Sequence, residues 1–100
     1  MILYEWDPAK ARANRRKHGL SFDAGMLVFD DPFAIAEQDR IVEGELRWQV
    51  VGSFEGAAIL TVAYTIHEEE ANEIVRIISV RKASRRERVA YEQNRQENYL

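Results

Sequence analysis

The chain contains no cysteine among its 100 residues. That excludes disulfides, a thiolate nucleophile and every cysteine-based zinc site. No apolar run approaches the ~18 residues of a membrane span, and no basic-then-apolar signal segment opens the sequence. Neither a P-loop nor a GxGxxG fingerprint occurs, which sets aside the common nucleotide-binding classes. The two histidines, His18 and His67, lack ligand spacing, and Ser79 and Ser84 lack a nucleophile-elbow context. No cofactor is expected. Repeats, linkers and low-complexity stretches are absent too, so residues 1–100 read as one domain with a modest core, and a cytoplasmic protein is the simplest expectation.

What the chain does have is charge, and the charge is segregated. The net value of −3 argues against nucleic acid on average, but residues 8–20 hold Lys10, Arg12, Arg15, Arg16 and Lys17 without an acid. Residues 76–88 hold six cations and only Glu87. The acids gather elsewhere, from Asp30 to Glu45 and again at Glu68, Glu69, Glu70 and Glu73. Two basic segments that meet in space would make a local positive field on an acidic protein.

Residues 1–5 alternate as a short strand. Asp7-Pro8 starts a helix, with Asp as N-cap and Pro where its missing N–H costs nothing. That helix runs to about Lys17, and Gly19 supplies the left-handed residue beyond it. Cations at its C-terminus complement the helix dipole and need no further explanation. Ser21 caps a second helix with an apolar stripe of Phe22, Met26 and Phe29; Gly25 weakens it by about 1 kcal/mol relative to Ala. Asp30-Asp31-Pro32 ends it, turn chemistry accounting for the paired acids. Residues 33–37 then read as a short edge strand, followed by an acidic loop with Gly44. Residues 45–51 form a second strand, 52–56 a loop, 57–66 a third, and the acidic segment 67–72 returns the chain to a fourth at 73–81. The order βααββββα predicts an α+β domain, a mainly antiparallel sheet of four to five strands with three helices.

The densest signal is the stretch 73–92. A strand ends at Arg81-Lys82, and Ser84-Arg85-Arg86-Glu87 fits a capping box that starts a helix. Arg85, Arg86 and Arg88 sit in its first turn, where cations cost a few tenths to about 1 kcal/mol each. A phosphate would relieve that cost; a solvated basic face paired with acids is the plainer alternative. Arg47, Arg76 and Arg81 interrupt apolar strands, either as outward-facing arginines or as the lining of a groove beneath the last helix. Arg76 and Arg81 have opposite parity, so a regular strand would send them to different faces. Tyr91 shares a helical face with Glu87 and Arg88 and reads either as a base-stacking group or as core.

Taken together, WDPAK-x3-N-x2-KHGLSF at 6–22, VFDDP at 28–32, GELR at 44–47, YT at 64–65 and RIISVRKA-x3-ER-x2-Y at 76–91 resemble the BrnT family, the toxin half of the BrnT/BrnA type II toxin–antitoxin pair. The resemblance implies a RelE-like fold and a ribonuclease that blocks translation without a metal. It also implies a BrnA-like protein antitoxin, through which alone the toxin meets DNA, and an RNA substrate. The resemblance assigns function to Lys17, Arg47, Arg76, Arg81, Glu87, Arg88 and Tyr91; on the residues' own chemistry, Arg47, Arg76 and Arg81 would bind phosphate and His67 or Glu87 would transfer a proton. Lys17, Lys82, Arg85, Arg88 and Tyr91 would dock the RNA. One position departs: many relatives carry arginine two residues after YT, where this chain has His67. That departure and the acidic balance give an alternative, a catalytically weakened toxin-like protein that binds an antitoxin and co-represses its own operon.

Overall fold

Each helix begins where the sequence supplies a cap. In the computed structural model, which describes residues 1–98, Asp7 accepts from the Ala9 N–H at 2.8 Å and opens α1 (Pro8–His18). Gly19, at φ +71°, closes that helix by donating its N–H to the Arg15 carbonyl. Ser21 caps α2 (Phe22–Val28). Ser84 caps α3 (Arg85–Asn98) through the reciprocal pair of a capping box, Glu87 N–H to Ser84 Oγ at 3.2 Å and Ser84 N–H to Glu87 Oε1 at 2.8 Å.

The strands are β1 (Ile2–Glu5), β2 (Ile35–Val42), β3 (Glu45–Phe54), β4 (Ala58–Glu69) and β5 (Asn72–Lys82), in the sheet order β1-β5-β4-β3-β2. All pairings are antiparallel except β1 with β5. The α+β order βααββββα is observed. Its strands, however, are longer than the sequence suggests, because most of what read as loop is strand up to turns of two or three residues. Glu43-Gly44 and Glu55-Gly56 have positive φ at both residues, and Glu70 sits at φ +57° before Ala71. These are the dihedrals of tight primed hairpin turns, usually signalled by Asn-Gly or Asp-Gly. Glutamate in the first position hides the signal.

The core lies between one face of the sheet and α1 and α2. Phe22 and Val28 pack there against Val50, Leu60, Val62, Tyr64, Val75, Ile77 and Val80. Gly25 faces this sheet so closely that a Cβ would stand 2.7 Å from Val80 Cγ2, which explains a glycine in a helix it weakens. The other face carries α3, which runs from Thr61 on β4 past β3 to the Phe33 carbonyl, and among the described residues no other helix lies on that face.

A β-bulge in β5 decides what the uncovered face presents. Ser79 pairs with Ala63 while Ile77 pairs with Tyr64, so Ile78 is an extra residue. Asn14 steadies the strand just beyond the bulge and the end of β1: its side-chain amide donates to the Val80 carbonyl at 2.9 Å and accepts from the Val80 N–H at 3.1 Å. One side chain thus fills the place of a neighbouring strand.

Candidate RNA-facing site

The bulge corrects the parity argument about the arginines. With one residue inserted between them, Arg76 and Arg81 lie on the same face, opposite Thr65 and Thr61 respectively. Continuing the β3–β4 register by one residue past Trp48–Tyr64 sets Arg47 beside Thr65 on that face as well. Arg47, Thr65 and Arg76 therefore form a row across three adjacent strands. Thr65 is only 2% exposed although no helix covers it, and Arg47 is half-buried. Arg47 Nε and Thr65 Oγ1 are both buried without a hydrogen-bond partner among the described residues. A buried polar atom left unpaired costs about 1–3 kcal/mol, so these two atoms do not add to the stability of the row. His67 follows Thr65 on the same face and is exposed, its Nε2 3.6 Å from Glu69 Oε2.

Arg81 is in a different situation. Its Nη1 and Nη2 donate to Glu87 Oε1 and Oε2 at 2.7 and 3.0 Å, a bidentate pair, and Nη1 also reaches the Lys82 carbonyl at 3.3 Å. Glu87 further accepts from Thr61 Oγ1 at 3.0 Å and from the Ser84 N–H. The hydrogen bond from Arg81 is the largest of the influences that hold the Glu87 carboxyl down at about 2, against the partial burial that opposes them. A carboxylate so occupied is a poor proton carrier near neutrality. Arg81 meanwhile already grips a carboxylate in the way it would grip a phosphate. Both residues, expected from the sequence as catalytic groups, fasten the start of α3 to the sheet.

Tyr91 resolves towards core. It is 3% exposed, with no ring face open to a base. Its hydroxyl donates to Asp31 Oδ2 at 2.5 Å, and burial followed by that bond pushes the phenol up to about 12. Asp31 also accepts from the Ser53 and Phe33 N–H groups. Burial alone would raise its carboxyl, but the bonds from Tyr91 and the two amides outweigh it and leave the pKa below the ordinary value. Sequence reasoning assigned Asp31 to turn chemistry, which is half of its work. The other half, holding α3 across the sheet, carries no local signature.

The remaining candidates divide by location. Lys82, Arg85 and Arg88 are exposed at the junction of β5 and α3. Arg86, read as one of the first-turn cations but not placed among the RNA-docking residues, lines with Glu87 a groove of about 380 Å³ between α3 and the β2–β3 ladder, floored by Gln49 and Val51. Lys17 is exposed in the last turn of α1, in the layer over the opposite face, and does not join the arginine row.

Comparison with solved structures places this architecture among small ribonuclease toxins. The crystal structure of the Brucella abortus ribonuclease toxin BrnT matches with a TM-score of 0.60 and 28% identity, covering 85% of this chain and 99% of that one. The family profile described as "Ribonuclease toxin, BrnT, of type II toxin-antitoxin system" matches residues 6–87. The chain belongs to the BrnT family of ribonuclease toxins. No curated protein matches the sequence.

Proposed function

We propose that the chain is a metal-independent endoribonuclease toxin that arrests translation by cutting RNA in the cytoplasm and is neutralised by a BrnA-like antitoxin. The observation that carries this reading is the row of Arg47, Thr65 and Arg76 with its two buried, unpaired polar atoms. RNA carries its own nucleophile. The 2′-OH gives up its proton as its oxygen attacks the adjacent phosphorus, the P–O5′ bond breaks, and the leaving oxygen takes up a proton. The products are a 2′,3′-cyclic phosphate and a 5′-hydroxyl. The protein must align the strand, neutralise charge on the phosphoryl oxygens and move protons. Guanidinium groups of Arg47 and Arg76 suit the phosphate, and the Thr65 hydroxyl can donate beside them. The His67 imidazole, on the same face, is the group assigned to move the protons. Lys82, Arg85, Arg86 and Arg88 supply a cationic path for the flanking phosphates. Arg81, Glu87, Asp31 and Tyr91 act at one remove, by placing α3.

The test is cleavage of end-labelled RNA by the purified chain in excess EDTA, with the product ends identified. Cyclic-phosphate ends are expected. A second reading is favoured by His67, exposed on this face where many BrnT sequences carry arginine: a weakened toxin that chiefly binds its antitoxin and co-represses its operon. No cleavage by the natural chain, with cleavage gained in His67→Arg, would select it.

A further inference from the structure

The helix layer stops short of the sheet end where β4 turns into β5. Beyond Tyr64 on that face the register sets Ile66 beside Val75 and Leu46 beside Ile41. The β3–β4 register, continued, sets Leu46 beside Ile66. Ile41, Leu46 and Ile66 are 69%, 37% and 40% exposed, an apolar row across three neighbouring strands. Next to it, on the same face, Glu68 and Glu73 stand directly opposite each other. Like charges in that relation destabilise a strand pair, and among the described residues Glu68, Glu70 and Glu73 form no ion pair. A groove of about 370 Å³ continues the surface between these acids and the exposed Met1 and Ile2.

RNA is repelled from such a surface, and a neutral apolar partner would leave the acids uncompensated. We infer that this end of the sheet is the docking surface for a cationic amphipathic helix of a protein partner. The spacing fits. Strands lie about 4.8 Å apart, so the row spans about 10 Å, and a helix rising 1.5 Å per residue covers about the same length between positions i and i+7. Laid across the strands, that helix would extend the layer begun by α1 and α2, bury the apolar row and set its cations against Glu68 and Glu73. The inference rests on the toxin reading only in taking the antitoxin as the partner; the surface follows from the row and the charges.

The test is calorimetric titration of the intact chain with the antitoxin of its own pair. It compares Ile41→Asp with Leu46→Asp, Glu68→Lys with Glu73→Lys, and Arg47→Ala with Arg76→Ala, each double variant checked by thermal melting. The first two are expected to bind at least about tenfold more weakly, the scale of losing an interface anchor, and the third within about twofold of the natural chain on the same scale. Rising salt should weaken the natural complex. If the aspartates lower the melting temperature, Ile41→Ser with Leu46→Ser carries the same prediction. Unchanged affinity in both surface variants overturns the inference, as does loss of binding in the arginine variant or no binding by the natural chain. So does an antitoxin-free dimer that these substitutions dissolve. RNA cleavage read on the same preparations keeps the two claims apart. A natural chain that binds through this surface yet cuts no RNA removes the nuclease reading and leaves the docking surface standing.

Discussion

Arg76 and Arg81 belong to one strand and one face, yet their surroundings are opposite. Arg81 is clasped by a carboxylate that itself accepts from a threonine and a backbone amide. Arg76 is exposed beside a buried threonine hydroxyl and an arginine nitrogen that both lack partners among the described residues. The contrast separates an arginine that holds the fold from arginines left available to a ligand. Residue type does not make that distinction; pairing does.

The largest expected effect lies on the unpaired side. Arg47→Ala should cut the rate of RNA cleavage by about 10²–10³, the usual loss when one donor to a developing charge is removed, with the melting temperature nearly unchanged. On the paired side the effects fall on stability. Tyr91→Phe removes a charge-assisted hydrogen bond to a half-buried carboxylate and should cost about 1.5–3 kcal/mol in denaturant unfolding. Glu87→Gln breaks the bidentate pair at a partly solvated position and should cost about 1–2 kcal/mol.

The same pair gives the chain an acid limb. Glu87 is held at about 2, below its ordinary 4.5, so its contribution is fully present above 4.5 and is lost as pH falls through that window. Asp31, also lowered, acts in the same direction. Tyr91, raised to about 12 from 10.0, contributes below pH 10 and loses its contribution as pH rises towards 12. Melting temperature against pH should therefore fall at both extremes, with Glu87→Gln flattening the acid limb and Tyr91→Phe the alkaline one. The smallest change expected is at a turn. Glu70→Gly relieves a left-handed residue, and against the backbone entropy of glycine the net gain is a few tenths to about 1 kcal/mol.

The helix ends were legible because their signals are local: Asp7-Pro8, Gly19, Ser21 and the Ser84–Glu87 box each act within a turn of where they stand. The strand lengths were less so, since Glu43, Glu55 and Glu70 take conformations that their side chains do not advertise. What the sequence concealed most fully was the arrangement of the candidate site. Arg76 and Arg81 share a face only because Ile78 is inserted in the pairing, a fact of register between distant residues. Asn14 and Asp31 reach partners 66 and 60 residues away, and nothing beside them in the chain announces it. Motif resemblance drew attention to segments, not to the pairing of their side chains. Which arginine was free and which was occupied needed the fold.

One comparison tests the division most directly: RNA cleavage rate and melting temperature measured together for the natural chain, Arg76→Ala and Arg81→Ala. The expected result is that Arg76→Ala loses cleavage while melting like the natural chain, and that Arg81→Ala melts at a lower temperature as α3 loosens. A folded Arg76→Ala that cleaves at the full rate would contradict the account.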